Sequence, residues 1–167
     1  MLRALAVLGM LLAAPGTAGA AEWGNIEPGG STVEQVRASY GAPSKETRAK
    51  VDGYDTMQWV YENDRAPAGL VRMTVDFGLL APTGYKPSVV RLLKLEPKPL
   101  IFGRKTVLQG WGLPDALSDQ KGERTFFYKE GLFVVFDKEG ESAVAMIFSL
   151  PQPDEPEKSA PSAPPKK

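Results

Sequence analysis

The apolar and polar residues of this chain follow two periods, one typical of helices and one typical of strands. Between residues 31 and 43, Val33, Val36 and Tyr40 recur at helical spacing and form one apolar stripe. Between residues 56 and 62, every second residue is large and apolar, which is typical of a half-buried strand. The pattern therefore predicts a chain that combines short helices with strands.

Residues that start or stop helices mark both ends of the first helical segment. Ser31 and Glu34 have the spacing of a capping box, in which each side chain satisfies a backbone N–H group of the first turn. Gly41 allows the turn that closes a helix, and Pro43 prevents the helix from continuing. A weaker helix is predicted at 103–110. We assign structural roles to Gly41 and Pro43 and to their counterparts Gly112 and Pro114.

Alternating apolar residues predict further strands, which Gly-rich and Pro-rich segments separate. The polar segment 44–55 is predicted to be a second short helix or a loop, and 78–87 is predicted to be a long loop. The predicted strands cover residues 56–62, 70–77, 88–95, 124–129, 132–137 and 143–150.

The second half of the chain repeats the order of the first half. Three matches in one order indicate an internal duplication. The sequence therefore predicts an α+β fold of tandem helix plus antiparallel-sheet modules, at residues 21–99 and 100–150, which share one core. The matched segments are Tyr40-Gly41-Ala42-Pro43 with Trp111-Gly112-Leu113-Pro114, Trp59-Val60-Tyr61 with Phe126-Phe127-Tyr128, and Val75-Asp76-Phe77 with Val134-Val135-Phe136.

The two ends of the chain differ in composition from the middle. Arg3, the apolar run 4–14 and the small residues up to Ala20 are typical of a signal peptide at 1–20, with an uncleaved membrane anchor as the alternative. The segment 151–167 has six Pro among 17 residues, which predicts a disordered Pro-rich tail. We therefore expect secretion across the inner membrane to a periplasmic or extracellular location, and no integral membrane span in the mature chain.

The composition lacks two residue types that are common in enzyme active sites. The chain has no His and no Cys, so it has no imidazole or thiolate for catalysis or metal binding, and we expect no enzyme activity, no metal and no cofactor. Its 20 basic and 20 acidic residues balance, so charge does not indicate nucleic-acid binding. The acids Asp52 with Asp55 and Asp115 with Asp119 leave a carboxylate-dependent hydrolase as an alternative.

Seven residues are candidates for contact with a partner protein. Aromatic residues of strands either fill the core or line an exposed binding face, and strand arginines are either solvated or form a basic recognition spot. The predicted loop carries one tyrosine, and loops of this kind are either packed connectors or binding elements. The candidates are Trp59, Tyr61, Arg72, Tyr85, Trp111, Arg124 and Tyr128.

Short motifs surround the first helix and the two strands predicted after it: Gly30-Ser31-Thr32, Val36, Tyr40-Gly41-Ala42-Pro43, Trp59-Val60-Tyr61 and Val75-Asp76-Phe77. In these motifs the chain resembles the SmpA/OmlA (BamE) family of envelope domains, and its tandem arrangement resembles β-lactamase inhibitory protein. The resemblance implies an exported cell-envelope protein-binding module, such as an outer-membrane assembly or accessory factor, which docks an unidentified envelope protein without covalent chemistry. An envelope polysaccharide hydrolase and a structural envelope protein are the alternatives, and the oligomeric state does not follow from the sequence.

Overall fold

A computed structural model of the protein describes residues 20–120 and 122–152. In this part of the chain, a helix and four strands are followed by a second helix and four further strands. The helices are α1 (Val33–Tyr40) and α2 (Arg104–Trp111). The strands are β1 (Lys45–Val51), β2 (Tyr54–Glu62), β3 (Leu70–Ala81), β4 (Gly84–Pro97), β5 (Ala116–Gln120), β6 (Glu123–Tyr128), β7 (Leu132–Phe136) and β8 (Ala143–Phe148).

All eight strands belong to one antiparallel sheet with the order β1-β2-β3-β4-β8-β7-β6-β5. Strands β1 and β5 are therefore the two edges of the sheet. The two halves of the chain meet where β4 pairs with β8. Three residue pairs are aligned there: Leu93 with Phe148, Lys94 with Ile147 and Leu95 with Met146.

The predicted α+β class, with tandem helix-plus-sheet modules, is wrong. The protein is mainly β, because two helices of eight residues pack on a continuous eight-stranded sheet. The prediction missed both edge strands, and it treated 44–55 as a helix or loop. Every residue of β1 is exposed, and most of its residues are polar or charged. Its sequence therefore lacks the alternation of apolar and polar residues that predicts a strand. Backbone pairing with β2 along its whole length makes it a strand.

The predicted long loop at 78–87 is also wrong, because β3 and β4 extend through most of it. Their pairing continues from Leu79 opposite Lys86 to Ala81 opposite Gly84, so only a tight turn remains between the strands. The Gly and Pro residues that predicted a loop are accommodated here by register shifts along the β3–β4 pair.

The core lies between the helices and one face of the sheet. Ile26 from the segment before α1, Val36 from α1 and Val107 from α2 are fully buried. They belong to one cluster with the strand side chains on this face, and burying each large apolar side chain contributes about 1.5–3 kcal/mol. The largest buried strand residues are Trp59, Tyr61, Met73, Phe77, Leu93, Leu95, Leu132, Phe136, Met146 and Phe148.

The start of α1 lies one residue later than the predicted capping box. Thr32 is the N-cap, and its backbone N–H donates a hydrogen bond to Oε1 of Gln35 at 2.8 Å. Ser31 is buried instead. Its Oγ accepts a hydrogen bond from the N–H of Glu27 at 2.9 Å and donates to the carbonyl of Asn25 at 3.3 Å, so it stabilises the turn before the helix.

Both helices end in the same arrangement of glycine and tyrosine. Gly41 and Gly112 follow the helices with φ values of 74° and 79°, in the left-handed region that glycine tolerates. The hydroxyl of Tyr61 donates to the carbonyl of Gly41 at 3.1 Å, and the hydroxyl of Tyr128 donates to the carbonyl of Gly112 at 3.1 Å. These matched bonds identify residues that occupy equivalent places beside the two helices.

The predicted signal peptide at 1–20 and the predicted tail at 151–167 lie almost wholly outside the described residues. Near the start of the described chain, the N–H of Ala21 donates to the carbonyl of Glu130 at 2.8 Å, which ties this segment to the turn between β6 and β7. Neither described helix is long and apolar enough to cross a bilayer.

Candidate binding groove at the α2–β5 corner

A helix, an edge strand and its neighbour form a corner at each edge of the sheet. The first corner consists of α1, β1 and β2, and the second corner consists of α2, β5 and β6. Strand pairing places Glu46 opposite Trp59 in the first corner and Leu117 opposite Phe126 in the second. Because the glycine–tyrosine bonds match, the two corners can be compared position by position.

Polar side chains surround the indole ring of Trp59 in the first corner. Trp59 is only 1% exposed, and its Nε1–H donates to Oε2 of Glu46 at 3.0 Å. The guanidinium of Arg37 lies 4.8 Å from the centre of the indole ring, in cation–π contact. Arg48 donates a hydrogen bond to the other oxygen of Glu46 at 2.9 Å, and this bond lowers the pKa of that carboxyl group. The buried indole N–H therefore has a hydrogen-bond acceptor, which is the carboxylate of Glu46.

In the second corner, leucines stand at the positions that polar or small residues occupy in the first corner. Leu108 precedes Gly112 by as many residues as Arg37 precedes Gly41. By the same count, Leu117 stands at the place of Glu46. The full set of equivalent positions is Arg37 and Leu108, Ala42 and Leu113, Glu46 and Leu117, and Trp59 and Phe126.

A groove lies beside these leucines in the second corner. The first corner also has a groove, of about 490 Å³, but the lining of that groove is more polar and includes Glu34 and Arg48. The groove of the second corner has a volume of about 690 Å³, within the usual range for ligand pockets. Two of its leucines are largely solvent-exposed: Leu113 at 86% and Leu117 at 67%. The groove is lined by Arg104, Leu108, Leu113, Pro114, Leu117, Ser118, Asp119, Arg124 and Phe126.

Charged groups flank the apolar floor of the groove. Arg124 lies 3.6 Å from Asp119, and Arg104 lies 3.0 Å from Glu141, which is outside the lining. Each guanidinium group of the lining therefore has one carboxylate neighbour, and the charges balance. A guanidinium group has five N–H donors, so each arginine can also bind an acidic group of a partner.

The edge strands of the two corners differ in how they meet solvent. An edge strand presents unpaired N–H and C=O groups, and proteins often guard such an edge with charged side chains. Strand β1 carries four charged residues among seven, whereas β5 carries only Asp119 among five. In the described part of the chain, no further strand pairs with the outer side of β5. The more apolar of the two grooves therefore borders the edge with fewer charged residues.

Three of the predicted binding residues are buried in the structure. Trp59, Tyr61 and Tyr128 all belong to the core beneath the helices. Burial raises the pKa of Tyr61 to about 12 and also raises that of Tyr128. Their position agrees with the core role that strand aromatics usually have.

Three other predicted binding residues lie far from one another in the fold and do not form a common site. Arg72 lies on the opposite face of the sheet and pairs with two carboxylates of neighbouring strands. Tyr85 lies at the end of the β3–β4 hairpin, where its ring centre is 4.6 Å from that of Tyr54. Trp111, the last residue of α2, packs partly buried with its ring centre 6.3 Å from that of Phe102. Of the seven candidates, Arg124 alone lines the groove.

Sequence reasoning missed the leucines of the groove. The signal was present in the matched segments, where Leu113 stands at the place of Ala42. A single exposed leucine is normal on a protein surface, but Leu113 and Leu117 border one groove together, and such clustering marks a candidate interaction site. Recognising Leu117 also required the pairing of β5 with β6, which the sequence pattern did not show.

The predicted acid Asp115 has a structural partner. Its Oδ2 accepts a hydrogen bond from the backbone N–H of Lys129 at 2.9 Å. At the equivalent place in the first corner, Oγ of Ser44 accepts from the N–H of Glu62 at 3.0 Å. A serine hydroxyl accepts the equivalent hydrogen bond in the first corner. The bond therefore gives Asp115 a structural role that does not require catalysis.

The remaining predicted acids lie at the surface. Asp52 occupies the turn between β1 and β2, and Asp55 lies 3.5 Å from the ammonium group of Lys50. Asp119 borders the groove. Within residues 20–120 and 122–152, no group of three or more carboxylates lies close enough together to hold a metal ion.

Fold and site together define a mainly-β protein with an apolar groove at one edge of its sheet. No family model matches the chain, and no curated protein matches it. A solved structure, that of the DUF4309 family protein YjgB from Bacillus subtilis, is similar with a TM-score of 0.47 and 12% identity, over 75% of this chain and 82% of that one.

The expected relationship to the SmpA/OmlA (BamE) family and to β-lactamase inhibitory protein is wrong. These comparisons found no protein of either kind. The motifs that carried the resemblance are short, and the structure gives them local roles. Gly41 closes a helix, while Trp59 and Tyr61 pack into the core with one hydrogen bond each. Such roles recur wherever a short helix packs on a sheet.

Proposed function

We propose that this protein is a non-enzymatic binding module that docks a partner protein, without covalent chemistry, in the groove at the α2–β5 corner. The observation that supports this most directly is the exposure of Leu113 and Leu117 at the places where the first corner has Ala42 and Glu46. Contiguous exposed apolar surface on a folded protein commonly marks an interaction site. The groove accordingly fits an apolar segment of another protein.

The N-terminal sequence supports a location for the proposed activity. The pattern of residues 1–20 is typical of a signal peptide, and it supports export. We therefore place the docking function in the cell envelope or outside the cell, with an exported or envelope protein as the partner.

Site-specific photo-crosslinking in cells that produce the protein tests this proposal. Benzoylphenylalanine is introduced at Leu117 in one variant and at Leu80 in a control variant. Leu80 lies on β3, outside the groove, and its exposure of 60% is close to the 67% of Leu117. We expect irradiation to give a discrete adduct with one protein from position 117, because the partner covers this side chain.

Two outcomes would contradict the proposal. The first is the absence of any adduct at position 117 in cells that express the protein from its own promoter. The second is an identical adduct pattern from positions 117 and 80, which would reflect random collisions rather than docking. Mass spectrometry of the adduct identifies the partner and the peptide that contacts the groove.

A further inference from the structure

We infer that the groove takes an extended segment of the partner, which pairs with the free edge of β5 as a ninth strand of the sheet. Its apolar side chains enter the groove, and an acidic side chain meets the arginines. This inference rests on the docking function proposed above and specifies the chemistry of the partner. Strand addition to a sheet edge is an established mode of peptide recognition, in which backbone bonds give affinity and side-chain pockets give specificity.

The first support is the state of the β5 edge. Its outer N–H and C=O groups have no strand partner among the described residues, and only one of its five residues is charged. The other edge of the sheet carries four charged residues among seven. Because edge charges oppose strand addition, β5 is the edge at which an added strand meets less resistance.

The second support is the direction of the side chains. Leu117 pairs with Phe126 and Asp119 pairs with Arg124, and all four line the groove. Ser118 also borders the groove, but side chains two residues apart on a strand point to the same face, so Leu117 and Asp119 share one face of the sheet. An added strand would also direct every second side chain to this face, next to the exposed part of Leu117. Apolar residues at those positions would extend the floor of the groove.

The third support is the two arginines of the lining. Arg104 and Arg124 each have one carboxylate neighbour, Glu141 and Asp119, and each guanidinium group has N–H donors enough for a second carboxylate. A carboxylate on the added strand can accept hydrogen bonds from a guanidinium group, and such charge-assisted bonds are stronger than neutral ones. The expected partner segment therefore combines alternating apolar residues with at least one Asp or Glu on the same face.

A second copy of this chain fits the edge less well. Antiparallel pairing of two β5 strands centred on Leu117 would set Asp115 of each copy opposite Asp119 of the other. Centring the pair on Ser118 would instead set Leu117 opposite Asp119. Like charges directly opposite each other destabilise a strand pair, so the first register is unfavourable, and the second register gives Leu117 no apolar partner.

Selection from a random library of 12-residue peptides displayed on phage tests the inference with a defined probe. The immobilised protein is the wild-type chain, and the counter-selection uses Leu117→Glu, which installs the residue of the first corner. We expect enriched peptides to alternate apolar and other residues and to contain Asp or Glu. The synthetic peptides should bind Leu117→Glu at least about tenfold more weakly, whereas Leu80→Glu should bind within about twofold of wild type.

N-methylation of the synthetic peptide then separates strand addition from simple burial. Methyl groups on alternate backbone nitrogens remove donors along one edge of the peptide. We expect the methylated set that faces β5 to lose at least about tenfold in affinity, and the other set to lose little. Equal binding of both methylated peptides would overturn the inference, and so would a library that enriches no sequence on wild type over Leu117→Glu.

These outcomes are distinct from failure of the proposed function. A crosslink at position 117 with methylation-insensitive peptides would leave docking intact and remove strand addition. Absence of the crosslink would remove docking itself. Sedimentation of the wild-type chain as a dimer and of Leu117→Glu as a monomer would assign the edge to a second copy and overturn the inference.

Discussion

At the scale of single residues, two buried tyrosines hold the helix ends against the sheet. Tyr61 and Tyr128 sit on the second and sixth strands, and each donates its hydroxyl proton to the carbonyl of the glycine that ends a helix. A hydrogen bond of this kind contributes about 1 kcal/mol to stability. The apolar rings meanwhile fill the core, so one residue type performs two structural tasks.

The pKa of Tyr61 predicts how stability responds to alkaline pH. Burial raises this pKa to about 12 in the folded protein, against about 10 in the unfolded chain. Deprotonation therefore favours the unfolded state once the pH exceeds 10. The stabilising contribution is fully present below pH 10, and we expect it to be lost progressively as the pH rises towards 12. Urea unfolding at several pH values, followed by circular dichroism, measures this slope.

Substitution by phenylalanine supplies the control. Tyr61→Phe should cost about 1 kcal/mol at neutral pH, because the bond to Gly41 is lost. It should also flatten the decline above pH 10, since the titrating hydroxyl is gone. Tyr54→Phe changes a surface residue that is 39% exposed, and it should alter neutral stability by less than about 0.5 kcal/mol. Parallel pH profiles for wild type and Tyr61→Phe would show that this tyrosine does not govern alkaline stability.

At the scale of elements, the two helices are short and depend on the sheet. Isolated helices shorter than about 12 residues are marginal in water, and these have eight residues each. Helix α2 is also the weaker of the two by sequence, because Gly103 is its N-cap and Gly110 lies within it. Its position beside the groove is therefore maintained by packing of Val107, which is fully buried.

Two glycines at the end of α2, Gly110 within the helix and Gly112 just after it, should respond in opposite directions to alanine. Gly110→Ala should stabilise the protein by about 0.5–1 kcal/mol, because alanine is the better helix former and a Cβ atom meets nothing within 4 Å there. Gly112→Ala should destabilise it by about 1 kcal/mol, because φ is 79° at this position. Chemical denaturation measures both changes, and a loss of stability in Gly110→Ala would contradict the prediction.

At the scale of the whole molecule, the two halves are joined by a short seam and a continuous core. The β4–β8 register covers only three residue pairs, yet buried residues of both halves belong to one cluster. Such a cluster favours cooperative unfolding over independent unfolding of each half. The sheet thus acts as one rigid support, with both helices on one face and the groove at one edge.

Phe148 provides a test of this cooperativity. It is fully buried and pairs with Leu93 across the seam. We expect Phe148→Ala to cost about 3–5 kcal/mol while unfolding remains a single transition. Ile147→Ala, at the neighbouring half-buried position on the other face, should cost less. Tryptophan fluorescence and circular dichroism in urea give the measurement. Two separate transitions in wild type would show that the halves unfold independently.

Sequence alone determined the local features of this protein. The apolar stripe of α1, the glycines that end both helices, the alternation along β2 and β6 and the apolar run of β7 follow from short-range rules, and they are where the structure has them. These features depend on interactions between residues a few positions apart, so they can be predicted from the amino-acid sequence.

Only the tertiary structure decided the edges, the single sheet and the groove. Strands β1 and β5 form because backbone groups pair with a neighbouring strand, and such pairing does not require apolar alternation. The seam of β4 with β8 joins residues about fifty positions apart, and no local pattern records it. The groove arises for the same reason: Leu108, Leu117 and Phe126 meet only when helix and strands are assembled.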